Sequence, residues 1–139
     1  MILNDKNVLE VLQQTNLLRN NNYYFSSTIM PSIGNLIMLG HLATFVKDFS
    51  GYLINYTEEG IGIIPLNNMT GNPMTDLAYF IEKSNIKSVN IENGGLFFYK
   101  KITITDINNE SIIFKVVKNV LPMKKYKENL EHFISDYQN

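Results

Sequence analysis

The chain has 139 residues, no cysteine, 45% hydrophobic and 18% charged side chains, and a formal net charge of −1. That length suits one domain, and that composition is too apolar for a disordered chain and too interrupted for a membrane protein. Disulfides and thiolate metal sites are excluded outright, and no apolar run approaches the roughly 20 residues that span a bilayer.

Residues 1–6 lack a basic stretch leading into an apolar run, so no signal peptide is expected and the expected address is the cytoplasm. Residues 5–19 read as a helix. Asn4 or Asp5 can cap it, because a short side-chain oxygen accepts from the free amides of the first turn. Val8, Val11, Leu12, Thr15 and Leu18 recur at spacings of three and four and form its apolar face. Asn20, Asn21 and Asn22 stop it. Residues 23–34 are aromatic, then Ser-rich, then broken by Pro31 and Gly34, and read as a connector that partly docks.

From residue 35 the pattern becomes that of strands. Strands are expected over 36–46, 52–57 and 61–66, with turns at 47–51 and at Glu58-Glu59-Gly60, where Gly60 can take positive φ. Residues 67–76 (NNMTGNPMTD) are loop chemistry, with Thr75 or Asp76 opening a short helical turn. Further strands are expected over 79–83, 86–92, 96–105 and 111–118. Asn93-Gly94 is a type I′ hairpin signal, since both central residues must tolerate positive φ.

Pro122 fits the first turn of a helix, where its missing N–H costs nothing. Met123, Tyr126, Leu130, Phe133, Ile134 and Tyr137 then form one continuous apolar stripe. The opposite face carries Lys124, Lys125, Lys127, Glu128, Glu131 and Asp136. This helix over 122–137 is expected to close the sheet as a lid.

A strand meander, a second strand set and a closing C-terminal helix resemble a pleckstrin-homology-like domain of the bacterial type. Residues 51–65 (GYLINYTEEGIGIIP) are similar to the family's hairpin ending at Ile-Pro. Residues 80–89 (FIEKSNIKSV) are similar to its short strand leading into Ile-Lys-Ser-Val. Residues 96–118 followed by the 122–137 helix complete the likeness, which covers about residues 35–137.

The resemblance implies an α+β, mostly β fold: a bent antiparallel sheet or barrel of about seven strands capped by the helix. It divides the chain into residues 1–34, a helix and connector, and residues 35–139, the domain itself. It also implies a non-catalytic binding or scaffolding module that engages a protein partner or a second copy of itself. Some members of the wider fold bind phosphoinositides through basic residues at the first hairpin; this chain offers only Lys47 there, beside Asp48.

Charge is uneven along the chain. Residues 1–95 carry five basic side chains against eight acidic ones, whereas 96–127 carry seven lysines against Asp106 and Glu110. Lys100, Lys101, Lys115, Lys118, Lys124 and Lys125 are therefore candidate anion-binding residues, and an anionic membrane surface is the second functional reading. A third is a carrier of a small apolar ligand held inside the sheet.

The last hairpin yields a register. Ile102 and Ile104 alternate with Lys101, Thr103 and Thr105, and Ile112, Phe114 and Val116 alternate with Ser111, Ile113, Lys115 and Val117. Residues opposite one another in an antiparallel pair face the same side. Both apolar sets reach the core only if the loop has an odd number of residues, three being simplest, with Asn109 left-handed. Lys101 then lies opposite Lys115 on the outer face. Like charges so placed repel, and an anion would relieve them.

Catalytic motifs are lacking. His41 and His132 are far apart, Gly94-Gly95 lacks phosphate-loop spacing, and no G-x-S-x-G elbow occurs. Glu58 and Glu59 diverge on a turn and read as solvated. With Arg19 the single arginine, nucleic acid is not an expected partner, and no cofactor is expected.

Overall fold

The computed structural model describes residues 3–29, 51–95 and 98–137. The strand expected over 36–46 lies outside the described residues, as do His41 and Lys47. Helix α1 (Asp5–Gln14) is followed by β1 (Tyr23–Ile29), β2 (Gly51–Thr57), β3 (Gly60–Leu66), β4 (Tyr79–Glu82), β5 (Ile86–Gly94), β6 (Tyr99–Asp106), β7 (Ser111–Val117) and helix α2 (Tyr126–Tyr137). A 3-10 turn at Thr75–Leu77 precedes β4, at the position expected for a helical turn. Among the described residues no helix is long and apolar enough to cross a membrane.

The seven strands form one antiparallel sheet in the order β4-β3-β2-β1-β7-β6-β5. Two meanders, β1–β4 and β5–β7, are thus joined where β1 meets β7, at Thr28 opposite Lys115 and Ile29 opposite Phe114. This is the α+β, mostly β, pleckstrin-homology-like arrangement. Its first described strand comes from the stretch that reads as a connector, since Tyr23–Ile29 pairs with β2 along six residues. The Ser26-Ser27-Thr28 segment suggested a loop, but its backbone is paired with β2 throughout and with β7 from Thr28 onward.

Helix α1 starts where Asn4 caps it. Asn4 Oδ1 accepts from the Asn7 amide at 2.9 Å and Asn7 Oδ1 accepts from the Asn4 amide at 2.8 Å, a reciprocal pair worth about 1 kcal/mol. The helix ends five residues earlier than its apolar spacing suggests. Asn16 adopts φ 60°, and the Leu17 and Asn16 amides donate to the Leu12 and Gln13 carbonyls at 2.8 and 3.2 Å. That left-handed stop turns Leu17 into the core and leaves Leu18 40% exposed.

Strands β2 and β3 are buried almost continuously instead of alternating. Both faces of this half of the sheet are covered, which removes the period of two. On one face Phe133 of α2 packs edge-on against Phe25 and Tyr56, with ring centroids 5.2 and 5.3 Å apart. The Tyr126 hydroxyl donates to the Ser26 carbonyl at 2.8 Å and the Asn129 amide to the Tyr24 carbonyl at 3.2 Å. On the other face the Tyr24 hydroxyl donates to Asp5 of α1 at 2.7 Å, and Asn55 donates to the Leu17 carbonyl at 3.2 Å.

The closing helix carries the expected stripe but begins at Tyr126, not at Pro122. Met123 and Tyr126 amides donate to the carbonyls three residues back, so residues 120–126 descend in tight turns. Met123, Tyr126, Leu130 and Phe133 are buried, and Ile134 and Tyr137 are half-buried against the same core.

The β5–β6 turn is also displaced. Asn93 and Gly94 stay in the ladder, opposite Lys100 and Tyr99; beyond them Gly95 adopts φ 54° and its carbonyl accepts from the Phe98 amide at 3.2 Å. Tyr99 explains the shift: its ring lies so close over the two glycines that a Cβ would come within 2.3 Å at Gly94 and 2.6 Å at Gly95. An aromatic ring covering glycines across a hairpin keeps them in the strand.

Burial pushes the phenols of Tyr24, Tyr56 and Tyr126 above their ordinary value of 10.0, aided by the carboxylates of Asp5 and Asp136 at the first two. A raised phenol keeps its proton in the folded chain after the unfolded chain has lost it. Its stabilising contribution is complete below pH 10 and is lost as pH rises towards the folded value. Thermal melts should therefore be level from pH 8 to 9.5. Above that, stability should fall by up to about 1.4 kcal/mol per pH unit for each such phenol. Equal melting temperatures at pH 8 and pH 11 would contradict this packing of the three tyrosines.

Candidate anion-binding cleft

Between the start of β6, the end of β7 and α2 lies an open cleft of about 480 Å³ lined by Lys100, Lys118, Lys127, Leu130, Glu131, Ile134 and Ser135. Its chemistry follows from strand parity and helix period. Lys100 pairs with Val116, so it points to the same side as the buried Ile102 and Ile104, but at the sheet's end. Lys118 follows the last residue of β7. Lys127, Leu130 and Ile134 lie three and four residues apart on α2 and share one helical face.

The result is an amphipathic site. Leu130 and Ile134 offer an apolar wall, and three lysines, Lys100, Lys118 and Lys127, line the cleft with a single acidic residue, Glu131. Lys100 is steadied by donating to Asn93 Oδ1 at 2.7 Å. Lys118 and Lys127 are exposed and can reorient. Such a site can hold an anionic head on its cations and an alkyl portion on its wall.

The six lysines singled out from sequence do not gather in one place. Lys100 and Lys118 enter the cleft. Lys101 and Lys115 are directly opposed on the other face of the sheet, in the expected register. That register arises from the expected three-residue loop: Asp106 N donates to the Glu110 carbonyl at 2.9 Å, and Asn109 adopts φ 62°. Their repulsion is met within the chain, however. Lys101 Nζ lies 3.9 Å from Glu92, its partner across β5–β6, and Lys115 Nζ sits 4.6 Å from the centre of the Tyr99 ring. No external anion is needed to account for that pair.

Lys124 and Lys125 are exposed in the turns before α2. The Lys124 amide donates to Asp5 at 2.9 Å, and Lys125 lines a separate hollow beside Asn20–Tyr23 and Glu128. Lys127 is the cleft residue that sequence reasoning left on a generic polar face. Its spacing from Leu130 and Ile134 was the available signal, but nothing along the chain says that this flank of the helix meets the ends of β6 and β7.

Other polar groups serve the fold. His132 stacks on Tyr23 with centroids 3.7 Å apart, and its Nδ1 lies 3.6 Å from Asp136, which also accepts from the Tyr56 hydroxyl. Glu59 is not simply solvated: Arg19 Nε donates to its carboxylate, beside an open hollow of about 460 Å³. Among the described residues no three His, Asp or Glu side chains converge in a way that could hold a metal ion. Comparison with family models, curated proteins and solved structures returned no match to this chain.

Proposed function

We propose that this protein is a non-catalytic binding module of the bacterial pleckstrin-homology-like family that captures an anionic amphipath in the cleft beside α2. One observation carries the reading: Lys100, Lys118 and Lys127 converge from β6, from the residue after β7 and from α2 beside Leu130 and Ile134. Three cations brought together at one apolar wall define a ligand with a charged head and a hydrocarbon part. The strand order and closing helix support the family assignment. A cytoplasmic setting belongs to the same reading, and the cysteine-free sequence suits it.

Titration calorimetry with decyl phosphate, below its micelle-forming concentration, tests the proposal. A charge-assisted contact is worth about 1.5–3 kcal/mol. Lys118→Glu combined with Lys127→Glu should therefore weaken binding at least about ten-fold. Inorganic phosphate, which cannot use Leu130 and Ile134, should bind far more weakly than decyl phosphate. Equal affinity in the wild type and the double variant would remove the cleft as the site.

A further inference from the structure

We infer that Asn93 is a site of self-modification: the Gly94 backbone nitrogen displaces its side-chain amide with help from Lys100, and the carboxylate that results takes Lys100 from the cleft. The second half of this rests on the cleft reading; the first does not. Asn93-Gly94 is the single Asn-Gly pair in the sequence. Glycine matters because no side chain hinders its nitrogen from reaching Asn93 Cγ, and its backbone turns freely. The fold also demands glycine there, since a Cβ at Gly94 would lie 2.3 Å from the Tyr99 ring. Packing therefore preserves the labile pair.

Two features favour reaction in the folded chain. Among the described residues β5 is an outer strand, paired with β6 alone, and Asn93 and Gly94 are its last two residues. Strand ends open most readily, and Asn93 is exposed to water. Lys100, its ladder partner, donates from Nζ to Asn93 Oδ1 at 2.7 Å. As the nitrogen attacks, negative charge gathers on that oxygen, and an ammonium already in place holds it most strongly at that moment. The Gly94 N–H gives its proton to solvent and the nitrogen pair forms a bond to Asn93 Cγ. The Cγ–Nδ2 bond then breaks, and ammonia leaves with a proton taken from solvent. Water opens the cyclic imide at either carbonyl, which yields aspartate or isoaspartate. The sum is amide plus water giving carboxylate plus ammonium, with no oxidation or reduction. The new carboxylate stands beside Lys100, one of the three cleft cations, and offsets its charge.

Peptide mapping by mass spectrometry of the folded full chain, held at mildly alkaline pH for weeks, tests the inference, with decyl phosphate titration of the same samples. Asn93 should convert before any other asparagine, with a gain of one mass unit. Lys100→Met should slow that conversion about ten-fold, as loss of one charge-assisted hydrogen bond from the transition state predicts. The converted chain, and an Asn93→Asp variant that carries the charge from the start, should bind decyl phosphate about three- to five-fold more weakly, the worth of one exposed ion pair. Asn93→Gln should hold its affinity through the same incubation, whatever its starting value, because its longer side chain closes the ring far more slowly. Asn93 intact while other asparagines convert, or conversion at the same rate without Lys100, would overturn the site. Undiminished affinity in the converted chain would overturn its hold on Lys100. If the fresh chain binds no decyl phosphate, the cleft reading falls and the coupling with it, whereas the conversion rates judge the site by themselves.

Discussion

Phe133→Ala should destabilise the protein by about 3–5 kcal/mol, a large share of the roughly 5–15 kcal/mol that holds a domain of this kind together. Phe133 is fully buried, with ring neighbours on three elements: Phe25 at 5.2 Å, Tyr56 at 5.3 Å and Tyr137 at 4.9 Å. Removing it leaves a cavity beneath the middle of α2 that the rigid sheet cannot collapse to fill. The helix also carries Lys127, Leu130 and Ile134 of the cleft, so loosening it should weaken decyl phosphate binding as well. Urea unfolding followed by circular dichroism reads the first effect. A loss below about 1 kcal/mol would mean that α2 is not the packed lid described above.

Gly60→Ala should cost about 2–6 kcal/mol through two independent causes. Gly60 adopts φ 152°, a conformation open to glycine and strained by about 1–3 kcal/mol for other residues. Strand β4 also lies directly beside it, Glu82 being its ladder partner: a Cβ there would sit 2.1 Å from the Ile81 carbonyl oxygen and 3.1 Å from Glu82 Cα. Backbone cannot swing aside as a side chain can, so β4 must move or detach, at a further cost of about 1–3 kcal/mol. Gly62→Ala is the informative control. Its Cβ would meet the end of the Leu17 side chain at 2.9 Å, which can shift, so its cost should be smaller. Equal effects at Gly60 and Gly62 would show that β4 does not hold its place beside β3.

How much of this was legible along the chain depended on whether one face of an element meets water. β6 alternates cleanly from Lys101 on, and β7 does so except at the buried Ile113, because Lys101, Thr103 and Lys115 stay partly exposed while Ile102, Ile104, Phe114 and Val116 are buried. That contrast fixed their parity, and parity fixed the Lys101–Lys115 pairing. β1 was missed because its polar residues reported loop chemistry, whereas pairing with β2 along its length and with β7 at its end decides its conformation. Asn93-Gly94 carried a strong local turn signal that a distant ring, Tyr99, overrode. The end of α1 depended on a single left-handed residue, Asn16, inside an apolar pattern that otherwise runs on. The cleft was half legible: the lysine excess of 96–127 pointed to the region, but only the docking of α2 beside the ends of β6 and β7 selects Lys100, Lys118 and Lys127.

The central claim is that an anionic amphipath sits in that cleft. Backbone amide resonances of the isotope-labelled full chain, followed as decyl phosphate is added, test it most directly. The account predicts saturable shifts concentrated at Lys100, Lys118, Lys127, Leu130 and Ile134, with the outer-face pair Lys101 and Lys115 little moved. Shifts centred on Lys101 and Lys115, or on the hollow beside Arg19 and Glu59, would contradict it, as would a spectrum that does not change.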